Sequence, residues 1–399
     1  MTEKKPYMSF NPPIIGGKTP VPGLFYDFNL GARVKVPKGE YRVRLLDKTA
    51  DLLLYDAPAN NATISSTKRY FVNFRIEVYK KNKDKEELVF AHDYNAKGKK
   101  VLIKFPDTAL GDVLAWFPYV EEFRNKHECD VYCAMAPRFS AILRAAYPKI
   151  NFIGQEDVPE NLYASYFMGI FHPWDGHKEL QPYDWRIVGL QKHAAYILGV
   201  EPLEIQLQLK PSGKKRQIEE KYVCIATKAT GQAKYWNNPI GWVDAIAHLQ
   251  KLGYRVLCID RDRTTVNGRY GNNIPFGAED FTGNISLQDR IDLLYYADFF
   301  LGLPSGLSWL AWGVGKPVVM VSGFSAPNIE FYTPYRVQHY HVCNSCLNNA
   351  KLVFNYGDTA NCPLHNGTAQ EFECTRTITG GFVNNTIDRL LADRQRKNR

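Results

Sequence analysis

The chain has 399 residues, of which 45% are hydrophobic and 23% charged, with 50 basic against 41 acidic side chains. That length accommodates two or three domains, and the balanced composition excludes a disordered, collagen-like or disulfide-scaffold protein. The net charge of +9 suits an anionic ligand such as a nucleotide, but it is too thinly spread for a dedicated nucleic-acid binder.

The N-terminal Met1-Thr2-Glu3-Lys4-Lys5-Pro6 is followed by no apolar core, so no secretory signal is expected. Residues 1–98 read as β-rich, with alternating runs at 33–36, 41–45 and 70–76 separated by turns such as Ala57-Pro58-Ala59-Asn60-Asn61. A small barrel or sandwich is predicted there, with the lysine-rich stretch 80–86 at a hairpin tip. From residue 99 the texture changes. Val101-Leu102-Ile103-Lys104-Phe105 is the continuous apolar run of a parallel strand buried on both faces, and strands then alternate with helices. A helix follows Gly111-Asp112, kinked at Pro118, and another spans 185–198. This first Rossmann-like domain is placed at 99–212, ending in the polar stretch Lys210–Arg216. The alternation restarts with a strand at 222–227 and defines a second such domain over 213–335. The longest uncharged stretch, 299–315, contains Pro304-Ser305-Gly306 and reads as strand, loop and helix, not as a membrane span. A cysteine-rich finger at 336–376 and a helix with a basic tail at 377–399 complete the chain.

Three loops lie where an open α/β sheet binds ligands, beyond the carboxyl ends of its strands. In Gly111-Asp112-Val113-Leu114, Asp112 is a candidate general base, although an aspartate at a helix start also serves as an N-cap. A helix N-terminus favours its ionised form, which predicts a charged but weak base. Thr227-Lys228-Ala229-Thr230-Gly231-Gln232-Ala233-Lys234-Tyr235-Trp236 matches no Walker A or GxGxxG pattern, yet two lysines and two threonines there suit a diphosphate. Ser305-Gly306-Leu307-Ser308 opens a helix whose free N–H groups suit an anion. Asp260, at a strand end, is placed to bind ribose hydroxyls. The loop His172-Pro173-Trp174-Asp175-Gly176-His177 borders a possible acceptor site or is a simple connection.

Of eight cysteines, Cys343, Cys346, Cys362 and Cys374 fall within 32 residues, in the order C-x2-C-x15-C-x11-C. A close pair with two distant thiolates is the pattern of a tetrahedral metal site. Four sulfur ligands leave no open position, so the metal is predicted to be structural, and sulfur suits zinc or iron alike. The dispersed Cys129, Cys133, Cys224 and Cys258 read as apolar core residues.

Two Rossmann-like halves, a carboxylate in the first and anion-binding loops in the second, resemble a GT-B glycosyltransferase of the α/β class. Gly111-Asp112-Val113-Leu114, Lys234-Tyr235-Trp236 and Ser305-Gly306-Leu307-Ser308 resemble the motifs of the ADP-heptose heptosyltransferases, and Pro118 suits that family. With the β-rich N-terminal region and the late four-cysteine finger, the chain is similar to the bacterial autotransporter heptosyltransferases. That resemblance implies inverting transfer of heptose from ADP-heptose to serine, and by extension threonine, hydroxyls of autotransporter passenger repeats in the cytoplasm. It implies iron in the finger, no catalytic metal, no membrane insertion and a homododecamer. It makes Asp112 the base and Lys234 the stabiliser of departing ADP, with Lys228 second to it. Thr227, Lys228, Thr230, Trp236, Asp260, Ser305, Gly306, Leu307 and Ser308 are then the donor-binding set. Two other readings stand beside it: a lipopolysaccharide-type heptosyltransferase with a sugar acceptor, and a zinc-ribbon nucleic-acid binder. The finger is poor in basic residues, which weighs against the last.

Overall fold

The structure is a computed structural model. It describes residues 16–397 except 83–84, 173–176, 354, 356–357 and 359. The N-terminal Met1–Pro6 segment, the middle of the 172–177 loop and the last two residues of the basic tail therefore lie outside the described residues.

Two sheets with parallel central strands carry the architecture. In the first, Lys100–Lys104 pairs with Asp130–Ala134 on one side and Leu162–Phe167 on the other, and Asn151–Ile153 lies outside Asp130–Ala134. The order changes direction between Lys100–Lys104 and Leu162–Phe167, which puts the ligand crevice at the end of the strand that leads to Asp112. The second sheet is fully parallel, in the order Glu279–Asp280, Arg255–Cys258, Tyr222–Ala226, Phe300–Gly302, Val318–Val321, Arg336–Val337. Its reversal lies between Tyr222–Ala226 and Phe300–Gly302, the strands that precede the Lys228–Lys234 loop and the Ser305 turn. Both central strands are buried on both faces, as their apolar runs require.

The N-terminal region differs from the expected self-contained barrel or sandwich. Phe25–Asn29 pairs in parallel with Leu162–Phe167, and Arg33–Lys35 and Thr63–Ser65 follow antiparallel, so these strands extend the first sheet. A separate four-stranded antiparallel sheet holds Leu52–Ala59, Tyr41–Asp47, Phe74–Asn82 and Lys85–Asp93, and the expected hairpin tip at 83–84 lies outside the described residues. Register between Ala164 and Phe28 joins segments far apart in sequence, which local alternation does not encode.

Two helix expectations are refined. Pro118 starts a second helix, Pro118–His127, directly after Leu110–Trp116, because its missing N–H costs nothing in a first turn. The helix expected at 185–198 is broken at Gly189 (φ +86°), where a side chain would collide with the Asn328 carbonyl. The C-terminal helix Gly380–Lys397 packs Val383, Ile387 and Leu390 against the core of the second sheet. No helix among the described residues is long and apolar enough to cross a membrane.

Candidate active site

A cleft of about 1030 Å³ lies between the two Rossmann-like units and is lined from both. The first contributes Leu110, Gly111, Asp112 and Arg138, and the second Lys228, Thr230, Lys234, Ser305, Gly306 and Leu307. The helices Leu110–Trp116 and Gly306–Gly313 meet at their N-termini. A Cβ on Gly306 would lie 2.8 Å from the Leu110 Cβ and 3.1 Å from the Gly111 nitrogen, so glycine is required for this approach.

Ala109, not Asp112, caps the first helix, and Asp112 sits inside its first turn with a hydrogen bond from Thr108 Oγ1 at 3.2 Å. Asp112 is not the weak base that a helix end alone would make it. Desolvation pushes the Asp112 carboxyl up to about 6, outweighing the Lys234 ammonium and the Thr108 hydroxyl, which both pull it down. Lys234 belongs to the other unit, so the cleft brings the two residues into electrostatic contact. A carboxylate with this balance is ionised at neutral pH and a better proton acceptor than an exposed aspartate.

Around the anion-binding side, Lys228 is buried with its Nζ 3.8 Å from Asp260 Oδ2 and no hydrogen-bond partner among the described residues. Ser305 Oγ is likewise buried and unpartnered there, and both residues face the cleft. Unsatisfied buried polar groups beside two helix N-termini are what a phosphate would complete.

Four of the expected donor residues make side-chain hydrogen bonds within the protein. Trp236 does not line the cleft; it is buried, donates from Nε1 to the Ile378 carbonyl at 2.9 Å and stacks edge-on against Trp242. Thr227 turns its hydroxyl to Asp260 Oδ2 at 2.9 Å, and its N–H donates to the same oxygen at 2.8 Å. Asp260 lines the cleft, and its carboxylate also accepts from the Lys228 N–H at 3.2 Å and so anchors the Lys228 turn. Ser308 is fully buried, and its Oγ donates to the Leu303 carbonyl at 2.6 Å while its N–H donates to Ser305 at 3.1 Å. Only Ser305, Gly306 and Leu307 of that turn line the cleft.

Arg290, absent from the expected set, reaches the cleft from the helix Leu287–Tyr296 and ties together the carbonyls of Ile259, Asp260 and Gly283. Its signal was a charge on the apolar stripe Leu287, Ile291, Leu294. The cysteine segment also forms cleft wall, through Leu347, Asp358, Asn361 and Pro363.

Among the described residues, no three His, Cys, Asp or Glu side chains are gathered closely enough to hold a metal ion. The four expected cysteines are free thiols within one another's electrostatic reach, and Cys346, Cys362 and Cys374 are buried. Burial, reinforced by Cys343, Cys374 and Cys362, pushes the Cys346 thiol up to about 12. Burial, with Cys362 and Cys343 adding to it, does the same to Cys374.

Residues 20–82 match the family model of the glycosyltransferase TibC N-terminal domain, and residues 185–360 match glycosyltransferase family 9 (heptosyltransferase). The chain is 47% identical over 369 residues to the autotransporter heptosyltransferase Aah of Escherichia coli, covering 92% of this chain and 93% of that one. It is 48% identical to the autotransporter heptosyltransferase TibC of an enterotoxigenic E. coli strain, covering 92% and 89%. The crystal structure of TibC, an iron-containing dodecameric glycosyltransferase, superposes with a TM-score of 0.91 at 45% identity, over 96% of this chain and all of that one. TibC has also been solved in complex with ADP-D-beta-D-heptose (TM-score 0.90, with the same identity and coverage). A further relative, from Burkholderia thailandensis, is an inactive autotransporter heptosyltransferase, BimC, 38% identical over 366 residues, covering 92% of this chain and 85% of that one.

Proposed function

Because the chain belongs to the autotransporter heptosyltransferase family, we propose that it moves heptose from ADP-heptose onto serine and threonine hydroxyls of autotransporter passenger repeats, with inversion, in the cytoplasm. The observation that carries this reading is the Asp112–Lys234 pair, contributed by opposite walls of one cleft. An acceptor oxygen entering from the Asp112 side attacks the anomeric carbon as the bond to the β-phosphate oxygen breaks. Asp112 takes the hydroxyl proton, and ADP leaves with the electron pair of the broken bond. Lys234, the Gly306 and Leu307 N–H groups and Ser305 Oγ face the negative charge that develops on it. A serine hydroxyl is far less acidic than a carboxylic acid, so proton transfer is late and position matters more than base strength. Lys228 and Arg290 hold the walls that receive the diphosphate.

The pH dependence follows with a definite sign. Asp112 must be ionised to accept a proton and its carboxyl stands at about 6, so kcat/KM is expected to fall about tenfold per pH unit below that value. A profile flat to pH 4.5 in a protein still folded there would remove Asp112 as the base.

The cysteine set fits a resident metal by its donor chemistry. Buried thiols that oppose one another's ionisation are stabilised as thiolates by a cation among them, and sulfur donors select iron or zinc. We assign iron to Cys343, Cys346, Cys362 and Cys374, where it would brace the fold and take no part in transfer. A homododecamer, as in TibC, would present several such clefts to a repetitive acceptor. Incubation with ADP-heptose and, in parallel, a passenger domain or deacylated lipopolysaccharide core tests the proposal. Heptose on the passenger alone is expected. Transfer only to the core would favour the lipopolysaccharide-type reading, and transfer to neither would place the chain with its inactive relative.

A further inference from the structure

Lys234 sits at the end of a single 3-10 turn, Gln232–Lys234, so its position depends on whatever fixes that turn from outside. The fixing groups are the side chains that follow it. Asn237 Oδ1 accepts from Gln232 Nε2 at 2.8 Å. Asn237 Nδ2 lies within donating distance of the Gln232 carbonyl (3.1 Å), the Tyr235 carbonyl (3.0 Å) and Thr375 Oγ1 (2.9 Å). Asn238 Nδ2 donates to the Arg376 carbonyl at 3.0 Å, and Trp236 Nε1 to that of Ile378 at 2.9 Å. Three successive side chains are thus fastened to residues 375–378, which begin directly after Cys374.

A second attachment runs through the hairpin of Thr265–Asn267 and Tyr270–Asn272. Asn272 Nδ2 donates to Gln232 Oε1 at 3.0 Å, and Tyr235 Oη meets Thr265 Oγ1 at 3.2 Å. The hairpin itself rests on the cysteine segment, with Tyr270 edge-on to Phe372 at 5.4 Å and Arg269 paired to Glu371. The turn is therefore held from two sides by residues 371–378.

We propose that Asn237 is a positioning residue that ties the Lys234 turn to the chain after Cys374, so that the cysteine segment sets where the lysine ammonium stands in the cleft. The inference rests on the assignment of Lys234 to the departing ADP. It gives the cysteine segment a part in transfer without placing a metal at the reacting atoms, and it explains why Trp236 is buried away from the donor. A displacement of about 1 Å at a stabilising group costs on the order of a hundredfold in rate, so the tie acts on kcat more than on donor affinity.

The test uses the full, metal-loaded chain with ADP-heptose and a passenger acceptor, with metal content and melting temperature measured on each variant. Asn237→Ala and the volume-preserving Thr375→Val are expected to lower kcat about 10- to 100-fold with KM for ADP-heptose changed by less than about threefold. Thr375→Ser, which keeps the hydroxyl, should restore turnover, and metal content should stay at the wild-type level throughout. Asn237→Ala should add little further loss in a Lys234→Ala background, because both act through one group. Wild-type kcat in Asn237→Ala and Thr375→Val beside an impaired Lys234→Ala would overturn the tie and leave the functional reading standing. An equal loss on top of Lys234→Ala would also overturn it. An unimpaired Lys234→Ala would instead remove the assignment of Lys234 to the departing ADP on which the tie depends. Should Asn237→Ala not fold, the Thr375→Val and Thr375→Ser pair decides.

Discussion

Asp112→Asn is expected to lower kcat by about three orders of magnitude while ADP-heptose still binds, the size of effect that loss of a positioned general base produces. Asparagine keeps the shape and can still receive the Thr108 hydroxyl on its carbonyl oxygen, but it cannot accept the acceptor's proton. The same change should not weaken the fold. The Asp112 carboxyl is raised in the folded protein by desolvation, so its ionisation opposes folding, and that cost grows as pH rises through about 6. With the carboxylate partly open to the cleft, removing the charge should gain about 1 kcal/mol at neutral pH after allowance for solvent screening. Stopped-flow or discontinuous transfer assays, donor titration and thermal melts read the three quantities separately. Turnover within tenfold of wild type would remove Asp112 as the base, whereas loss of turnover together with a lower melting temperature would make it a structural residue.

Cys346→Ser is expected to lose the metal and most of the folded yield together. Cys346 is buried beside Leu347 and Phe324, and the segment it anchors continues into the cleft wall at Asp358, Asn361 and Pro363. A structural metal contributes folding free energy directly, on the order of 10 kcal/mol for small thiolate sites, and serine replaces a soft thiolate with a hydroxyl that does not compete for the ion. The surviving soluble fraction should bind ADP-heptose at least severalfold more weakly, because its wall is no longer fixed. Metal analysis, yield and donor titration on one preparation check the three consequences. A stable, metal-free and active variant would contradict the structural assignment.

Much of this organisation is legible in the amino-acid sequence. Val101–Phe105 and Tyr222–Ala226 announced parallel strands because burial on both faces leaves no polar alternation. The loops that follow such strands face the crevice, so position marks the Asp112, Lys228–Lys234 and Ser305 loops, while the choice of Asp112 as base and of Lys234 over Lys228 comes from the family resemblance. Side-chain direction was less legible. Thr227, Trp236 and Ser308 share those loops with the cleft residues, yet each turns into the protein to satisfy a buried partner, a choice set by neighbours over a hundred residues away in the case of Trp236 and Ile378. Asn237 carries no sequence signal of its contacts, since Asn237-Asn238-Pro239 has the composition of an ordinary turn. Pairing of Phe25–Asn29 with Leu162–Phe167 is equally non-local, and it moved strands from an expected separate barrel into the first sheet.

The most direct measurement is the structure of the product. The protein, ADP-D-beta-D-heptose and a passenger domain would be combined and the modified peptides analysed by fragmentation mass spectrometry and NMR. A single displacement across the Asp112–Lys234 cleft predicts heptose joined to serine or threonine oxygen with the α configuration, absent from the Asp112→Asn reaction. A β-linked product, or one formed equally well without the Asp112 carboxylate, would contradict the account.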